Sequence, residues 1–266
     1  MTLIAILLGT LAAGIGSVWL AAALSFGALA RYTQHMLSLA AGALLATAFM
    51  HLLPEAFESQ VSPQHLFMTL LTGLVFFFLL DKAELWHHGH EHHHEDSGHA
   101  GHDHANDHGH AHHHFPPRTG SWAVLTGDSV HCFGDGVLIA SAFSADLRLG
   151  ALTALAVLVH EVPHHMGDLM VLRQGTNTRR LAFIKVSLAG AATAIGGLIG
   201  FWLVAQLHDF LPYFLVVAAS SFIYVALADL IPQLQIRQSA GRTAAQIAWL
   251  LLGIALVTAA SHMAHG

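Results

Sequence analysis

Eight apolar stretches, each close to the roughly 20 residues that a bilayer-crossing helix needs, follow one another along this chain of 266 residues. They lie at about 3–29, 34–57, 66–85, 121–144, 151–172, 181–207, 214–235 and 244–263, and are numbered here as spans 1 to 8. Composition agrees: 55% of residues are hydrophobic, 10% are charged and the mean hydropathy is +0.58, so lipid is the solvent for most of the chain. No span has the strict alternation of a membrane β-barrel, and lipid satisfies no backbone hydrogen bond, so the spans must be helices. The expected fold is an all-α integral membrane protein, one transmembrane domain over residues 1–266, with a disordered loop at 87–120.

Thr2, Leu3 and Ile4 follow Met1 without a basic segment, so span 1 is expected to be a true span and not a cleaved signal. The loops after spans 1, 3, 5 and 7 carry Arg31, Lys82, Arg118, Arg173, Arg179, Arg180, Arg237 and Arg242. Only Arg148 falls on the other side, and Lys185, just inside span 6, snorkels to the basic side. The positive-inside rule then places both termini away from the cytoplasm. A net charge of −6 implies no nucleic-acid partner, and the single cysteine, Cys132, excludes an intramolecular disulfide.

Between spans 3 and 4, 14 of 28 residues are histidine: His87, His88, His90, His92, His93, His94, His99, His102, His104, His108, His110, His112, His113 and His114. With Gly, Ala, Asp and Glu between them there is nothing to bury, so disorder is expected. Imidazole is the commonest metal ligand near neutral pH, and the tract should hold several divalent ions loosely, on the predicted cytoplasmic side.

Ionisable residues inside the spans are the more specific signal, because each is costly at membrane depth and usually lines a site or pathway. Span 4 reads DSVHCFGDG, with Asp128, His131, Cys132 and Asp135; span 5 reads HEVPHHMGD, with His160, Glu161, His164, His165 and Asp168. Residues four apart share a helix face, so His131 pairs with Asp135 and His160 with His164. Three imidazoles and one carboxylate make a tetrahedral set suited to Zn²⁺, with Cd²⁺, Fe²⁺ or Mn²⁺ as alternatives. Glu161 and His165, one step round the helix, offer a second position or a relay. Pro163 should loosen span 5 beside its ligands, and Gly134, Gly136 and Gly167 should allow close helix approach. His51, Glu55 and Glu58 end span 2 at the non-cytoplasmic mouth, and Asp229 lies near the cytoplasmic end of span 7.

These motifs resemble those of the ZIP (Zrt/Irt-like) family of metal-ion transporters. HCFGDG is similar to the family's HNxxDG at His131, Asp135 and Gly136, and residues 160–168 match the HExPHExGD of one large subfamily at all but one fixed position. HLLPEA in span 2 and YVALADLIP in span 7 look like that subfamily too. The resemblance implies eight spans with both termini outside, import toward the cytoplasm, a metal site between spans 4 and 5, and frequent homodimers. Cys132 stands where the family has Asn and His165 where it has Glu, which depletes bridging carboxylates and favours a single principal ion. Cys132 either adds a soft thiolate, favouring Zn²⁺ or Cd²⁺, or is a buried inert thiol.

Two other readings compete. His160-Glu161-x-x-His164 is also the pattern of an intramembrane zinc metalloprotease, but the Asp-Gly pair lies upstream and the His131/Asp135 pair would have no purpose. A cation-diffusion-type effluxer would carry a soluble domain after its last span, and this sequence is expected to end on a span. The expected protein is no enzyme and needs no catalytic cofactor; its compact loops fit a bacterial inner membrane, with an organelle membrane as the alternative. Because imidazole binds metal only when neutral, uptake into vesicles is predicted to fall as the pH drops through roughly 6.5; a flat pH profile would count against histidine coordination.

Overall fold

The computed structural model describes residues 2–25, 33–89, 120–175, 178–234 and 239–265, and among them it contains helices and no strand. Eight long helical segments follow the apolar stretches. We label them α1 (2–25), α2 (33–57), α3 (Pro63–Gly89), α4 (Gly120–Ala145), α5 (Leu147–Gly175), α6 (Arg179–Gln206), α7 (211–234) and α8 (Ala240–His265). Helix α3 runs to Gly89, so His87 and His88 belong to its end, although their side chains lie outside the described residues. The remaining loop histidines, His90 to His114, also lie outside them.

Among the described residues, six helices are long and apolar enough to cross a membrane. Helices α4 and α5 have the length, 26 and 29 residues, but are more polar because they carry the histidines and acids. Short sequence signals set the helix ends. Asp146 Oδ1 accepts hydrogen bonds from the backbone N–H of Arg148 (2.8 Å) and Leu149 (3.0 Å), capping α5 and turning the chain tightly out of α4. Pro163 does not break α5, which continues as one helix on both sides of it.

Three helices contain a π-helical turn: Ala12–Gly16 in α1, Ala48–Leu52 in α2 and Val225–Leu230 in α7. Such turns insert an extra residue and commonly mark functional sites. Here they immediately precede Ser17, contain His51 and contain Asp229 respectively.

Small residues bring the backbones together. A Cβ on Gly136 would meet the Thr193 carbonyl, one on Gly196 the Phe133 carbonyl, and one on Gly14 the Gly190 carbonyl, so α4 and α1 both press on α6. Gly42 and Gly253 do the same between α2 and α8. Two glycines expected to permit close approach do not: nothing lies within 4 Å of a Cβ built at Gly134 or Gly167, because these positions turn away from the packed faces. The core runs through Ile6, Leu44, Leu52, Ile139, Leu215 and Phe222, while Phe67, Leu71, Phe76 and Leu79 of α3 and Ile247 and Leu251 of α8 face outward. In water that outer surface would be a liability; in lipid it is the expected exterior.

Gly136→Ala should destabilise the protein by about 1–3 kcal/mol through overpacking against Thr193. Gly134→Ala should leave stability unchanged or raised by up to about 1 kcal/mol, since it meets only open space and improves helix propensity. Thermal unfolding of the two variants in the same detergent checks the contrast.

Candidate metal centre

Helices α4 and α5 are antiparallel neighbours joined by the Asp146 turn, so the polar turns of each lie side by side. The structure sorts their side chains into three groups of donors, and the expected quartet of His131, Asp135, His160 and His164 is not one of them.

The outer group, nearest the Asp146 turn, contains His131, Asp135, His160 and Glu161. His160 Nε2 lies 3.2 Å from Asp135 Oδ2, 3.3 Å from Glu161 Oε1 and 3.4 Å from His131 Nε2. His131 Nε2 lies 3.1 Å from Glu161 Oε1 and 3.9 Å from Asp135 Oδ2. Zinc bonded at about 2.0–2.1 Å in a tetrahedron separates its ligand atoms by about 3.3–3.4 Å, which these distances bracket. Protonation fits as well. His160 Nδ1 faces the Ala156 carbonyl at 3.3 Å; a carbonyl only accepts, so Nδ1 carries the proton and Nε2 presents its lone pair to the group. Asp135 Oδ2 and Glu161 Oε1 are buried without a hydrogen-bond partner, a costly arrangement that a shared cation would relieve.

The middle group contains Asp128, Cys132, Glu161 and His165, all buried. Glu161 Oε2 lies 3.1 Å from His165 Nε2 and 3.6 Å from Cys132 Sγ, so the two oxygens of one carboxylate serve two groups. Asp128 Oδ1 lies 3.6 Å from Cys132 Sγ and 3.7 Å from His165 Nε2. Ser17 of α1 reaches this group from behind. Its hydroxyl donates to the Gly14 carbonyl at 2.7 Å, which leaves Oγ to accept from His165 Nδ1–H at 3.0 Å. The Nε2 lone pair of His165 therefore points at Glu161, Cys132 and Asp128.

The third group is Asp128, His164 and Asp168. Four residues of helix rise about 6 Å, which places His164 level with Asp128 and out of reach of Asp135. Its ring stacks on His131, with centroids 5.3 Å apart, while Nδ1 faces Asp168 Oδ2 at 3.2 Å. Glu161, expected as a secondary position, takes the place in the outer group assigned to His164. Helical spacing does not single out Asp128, an intramembrane acid, or Ser17, a hydroxyl in an apolar span, yet the structure brings both up to these groups. Ser17 gave no signal beyond being a buried hydroxyl, and Asp128 was legible as a third acid on the His131 helix.

His51 and Glu55 line a cavity of about 510 Å³ with Glu58, Asp146 and Arg148, at the Asp146 end of α4 and α5. Asp229 sits in the π-helical turn of α7, and its side chain lies outside the described residues.

A family model described as ZIP zinc transporter matches residues 1–261. The chain is 34% identical over 148 residues to the zinc transporter foi of Drosophila melanogaster, covering 54% of this chain and 21% of that protein. It is 38% identical over 114 residues to the human zinc transporter ZIP10, covering 43% and 14%. It is 27% identical over 283 residues to the zinc transporter ZIP13 of Pongo abelii, covering 96% and 77%. The chain thus spans about a fifth or less of the length of the first two of these curated relatives.

Cys132 is the only cysteine, so a Co²⁺ ion held by the middle group would show thiolate-to-metal charge-transfer absorption, to which the loop histidines contribute nothing. Ser17→Ala should raise the Co²⁺ concentration needed to half-develop that band about tenfold, by releasing the His165 ring. Ser17→Thr, which keeps the hydroxyl, should stay near the wild-type value.

Proposed function

The chain belongs to the ZIP zinc transporter family, and from that premise we propose that it carries Zn²⁺ or a similar divalent cation across a membrane toward the cytoplasm. The observation that carries the reading is the outer group, where donor atoms of His131, Asp135, His160 and Glu161 converge at zinc-like spacing inside the helix bundle. Two carboxylates and two neutral imidazoles make a site that is electrically neutral with a dication, which lowers the cost of holding that charge at membrane depth.

In this mechanism a hydrated cation collects in the cavity lined by His51, Glu55, Glu58 and Asp146. It exchanges water for the four donors of the outer group. Glu161 then lets it pass to the middle group without leaving both oxygens of the same carboxylate. The His-rich segment His87–His114 receives it on the cytoplasmic side. The gradient drives the process, and no catalytic cofactor or covalent step is involved. The reading extends to eight spans with outside termini in a bacterial inner membrane, and to a pair of such chains working together, as the family resemblance implies.

The geometry does not favour the protease reading. A zincin needs His160 and His164 on one metal with Glu161 free as base, whereas here Glu161 is itself among the donors and His164 faces Asp168. Direction separates an importer from an effluxer, and the test therefore uses vesicles in which orientation is determined. Zinc entering vesicles loaded with a fluorescent indicator should depend on the protein, and His131→Ala and His160→Ala should each lower the rate at least about tenfold. Undiminished rates in both variants would overturn the reading.

A further inference from the structure

We propose that the ends of α1 and α6 on the basic side of the bundle form a seat for an anionic phospholipid of the surrounding bilayer. Its phosphate lies between Arg179 and Arg180, and its acyl chains run along Trp19, Ile184 and Leu188. The seat stands apart from the donor groups and does not depend on which ion the chain carries.

Helix α6 opens on two successive arginines and then turns apolar. Residues four apart share a helix face, so Arg179 lines up with Phe183, and Arg180 with Ile184 and then Leu188. Both arginines are exposed, as are Ile184 (50%) and Leu188 (68%), so each guanidinium heads its own apolar stripe. From α1 the Trp19 ring meets Phe183 edge-on, with centroids 6.1 Å apart, and still leaves 65% of its residue exposed. Val18 and Ala22 of α1 are buried in one cluster with Ala182 and Val186 of α6, which fixes the two helix ends against each other.

The order of these groups along the helix is the order of groups in a phospholipid. One turn, about 6 Å, separates the arginines from the level of Phe183 and Trp19. Guanidinium meets phosphate with paired N–H donors, tryptophan favours the interfacial layer just below the head groups, and the apolar stripes continue inward from there. A free phosphate would engage the arginines and leave Trp19, Ile184 and Leu188 uncovered. A zwitterionic lipid would cover those residues but bring a cation of its own to the arginines. Only an anionic lipid suits both halves of the seat.

The other end of the bundle offers a contrast. Arg148 lines its cavity together with Glu55, Glu58 and Asp146, so acids outnumber the one arginine and an anion gains nothing there. The seat also lies on the side that the positive-inside count predicts to be cytoplasmic, where anionic lipids give the leaflet its negative surface potential. It spans α1 and α6, which Gly14 and Gly190 already press together, so a lipid bound to the folded state braces that junction and stabilises the protein by mass action.

Native mass spectrometry of the full chain, released from a neutral detergent, counts bound lipid directly. Phosphatidylglycerol should half-fill the protein at a concentration at least about tenfold below that of phosphatidylcholine, since each arginine near an anionic head group contributes roughly a fivefold preference. Arg179→Gln and Arg180→Gln should each remove about a fivefold part of that preference, and the double variant all of it. Arg242→Gln takes the same charge from the exposed start of α8, where Gln246 and not an apolar residue stands one turn on, and should leave the preference intact. Trp19→Ala should weaken both lipids together, because it removes apolar contact and no charge. Phosphatidylglycerol should also raise the unfolding midpoint of the wild type and not that of the double variant. The proposal is overturned if the two lipids bind alike, if the double variant keeps the preference, or if Arg242→Gln lowers it as much. It is equally overturned if Trp19→Ala changes neither lipid, or if inorganic phosphate displaces phosphatidylglycerol at equal concentration, as at a site for a soluble anion.

Discussion

The Glu161 carboxylate sits where every other feature of the centre meets. Held by a helix inside the membrane and almost wholly buried, it faces His131 and His160 with one oxygen and His165 and Cys132 with the other. An acid in that position is expensive unless positive charge is close by. The surrounding arrangement can be understood as the answer to that cost: imidazoles turned so that their lone pairs converge, and further acids at Asp128 and Asp135 that complete donor sets for a dication.

Holding those lone pairs in place requires partners behind the rings. The Ala156 carbonyl orients His160 from its own helix, and Ser17 orients His165 from α1. Ser17 reaches that far because Gly14 lies against Gly190 and brings α1 onto α6, while Gly136 and Gly196 bring α4 onto the same helix. Backbone contact at these glycines thus determines distances several ångströms away in the donor groups. The π-helical turn at Ala12–Gly16 lies directly before Ser17 and belongs to the same device.

Along α4 and α5 the environment changes in an orderly way. A cavity with acids at its rim adjoins the Asp146 turn, two four-donor groups follow, buried except for a half-buried His131, and a three-donor group with a half-buried His164 lies at the far end. The transport proposed above asks for capture before dehydration, and an acidic cavity beside buried donors suits that order.

Much of this was legible in the residues alone. Apolar stretches of bilayer length dictate helices, because nothing else satisfies the backbone in lipid, and acids and histidines inside those stretches mark the site because chance seldom puts them there. His131, Asp135 and His160 were identifiable in that way, as was the pairing of α4 with α5. Helical spacing did not tell which atoms meet. Periodicity places His160 and His164 on one face, yet it does not say that the facing helix is offset so that His164 lies level with Asp128, nor that Glu161 reaches inward with both oxygens. Likewise Gly134, Gly136 and Gly167 are equivalent as letters, and only Gly136 meets another backbone. The sequence by itself determined that this chain lies in a membrane and gathers metal-binding groups between two of its helices, since solvation and ligand chemistry belong to residue types. Which donor atoms come together was decided only by the tertiary structure, because helix offset, side-chain reach and the Ser17 contact depend on how separate helices pack.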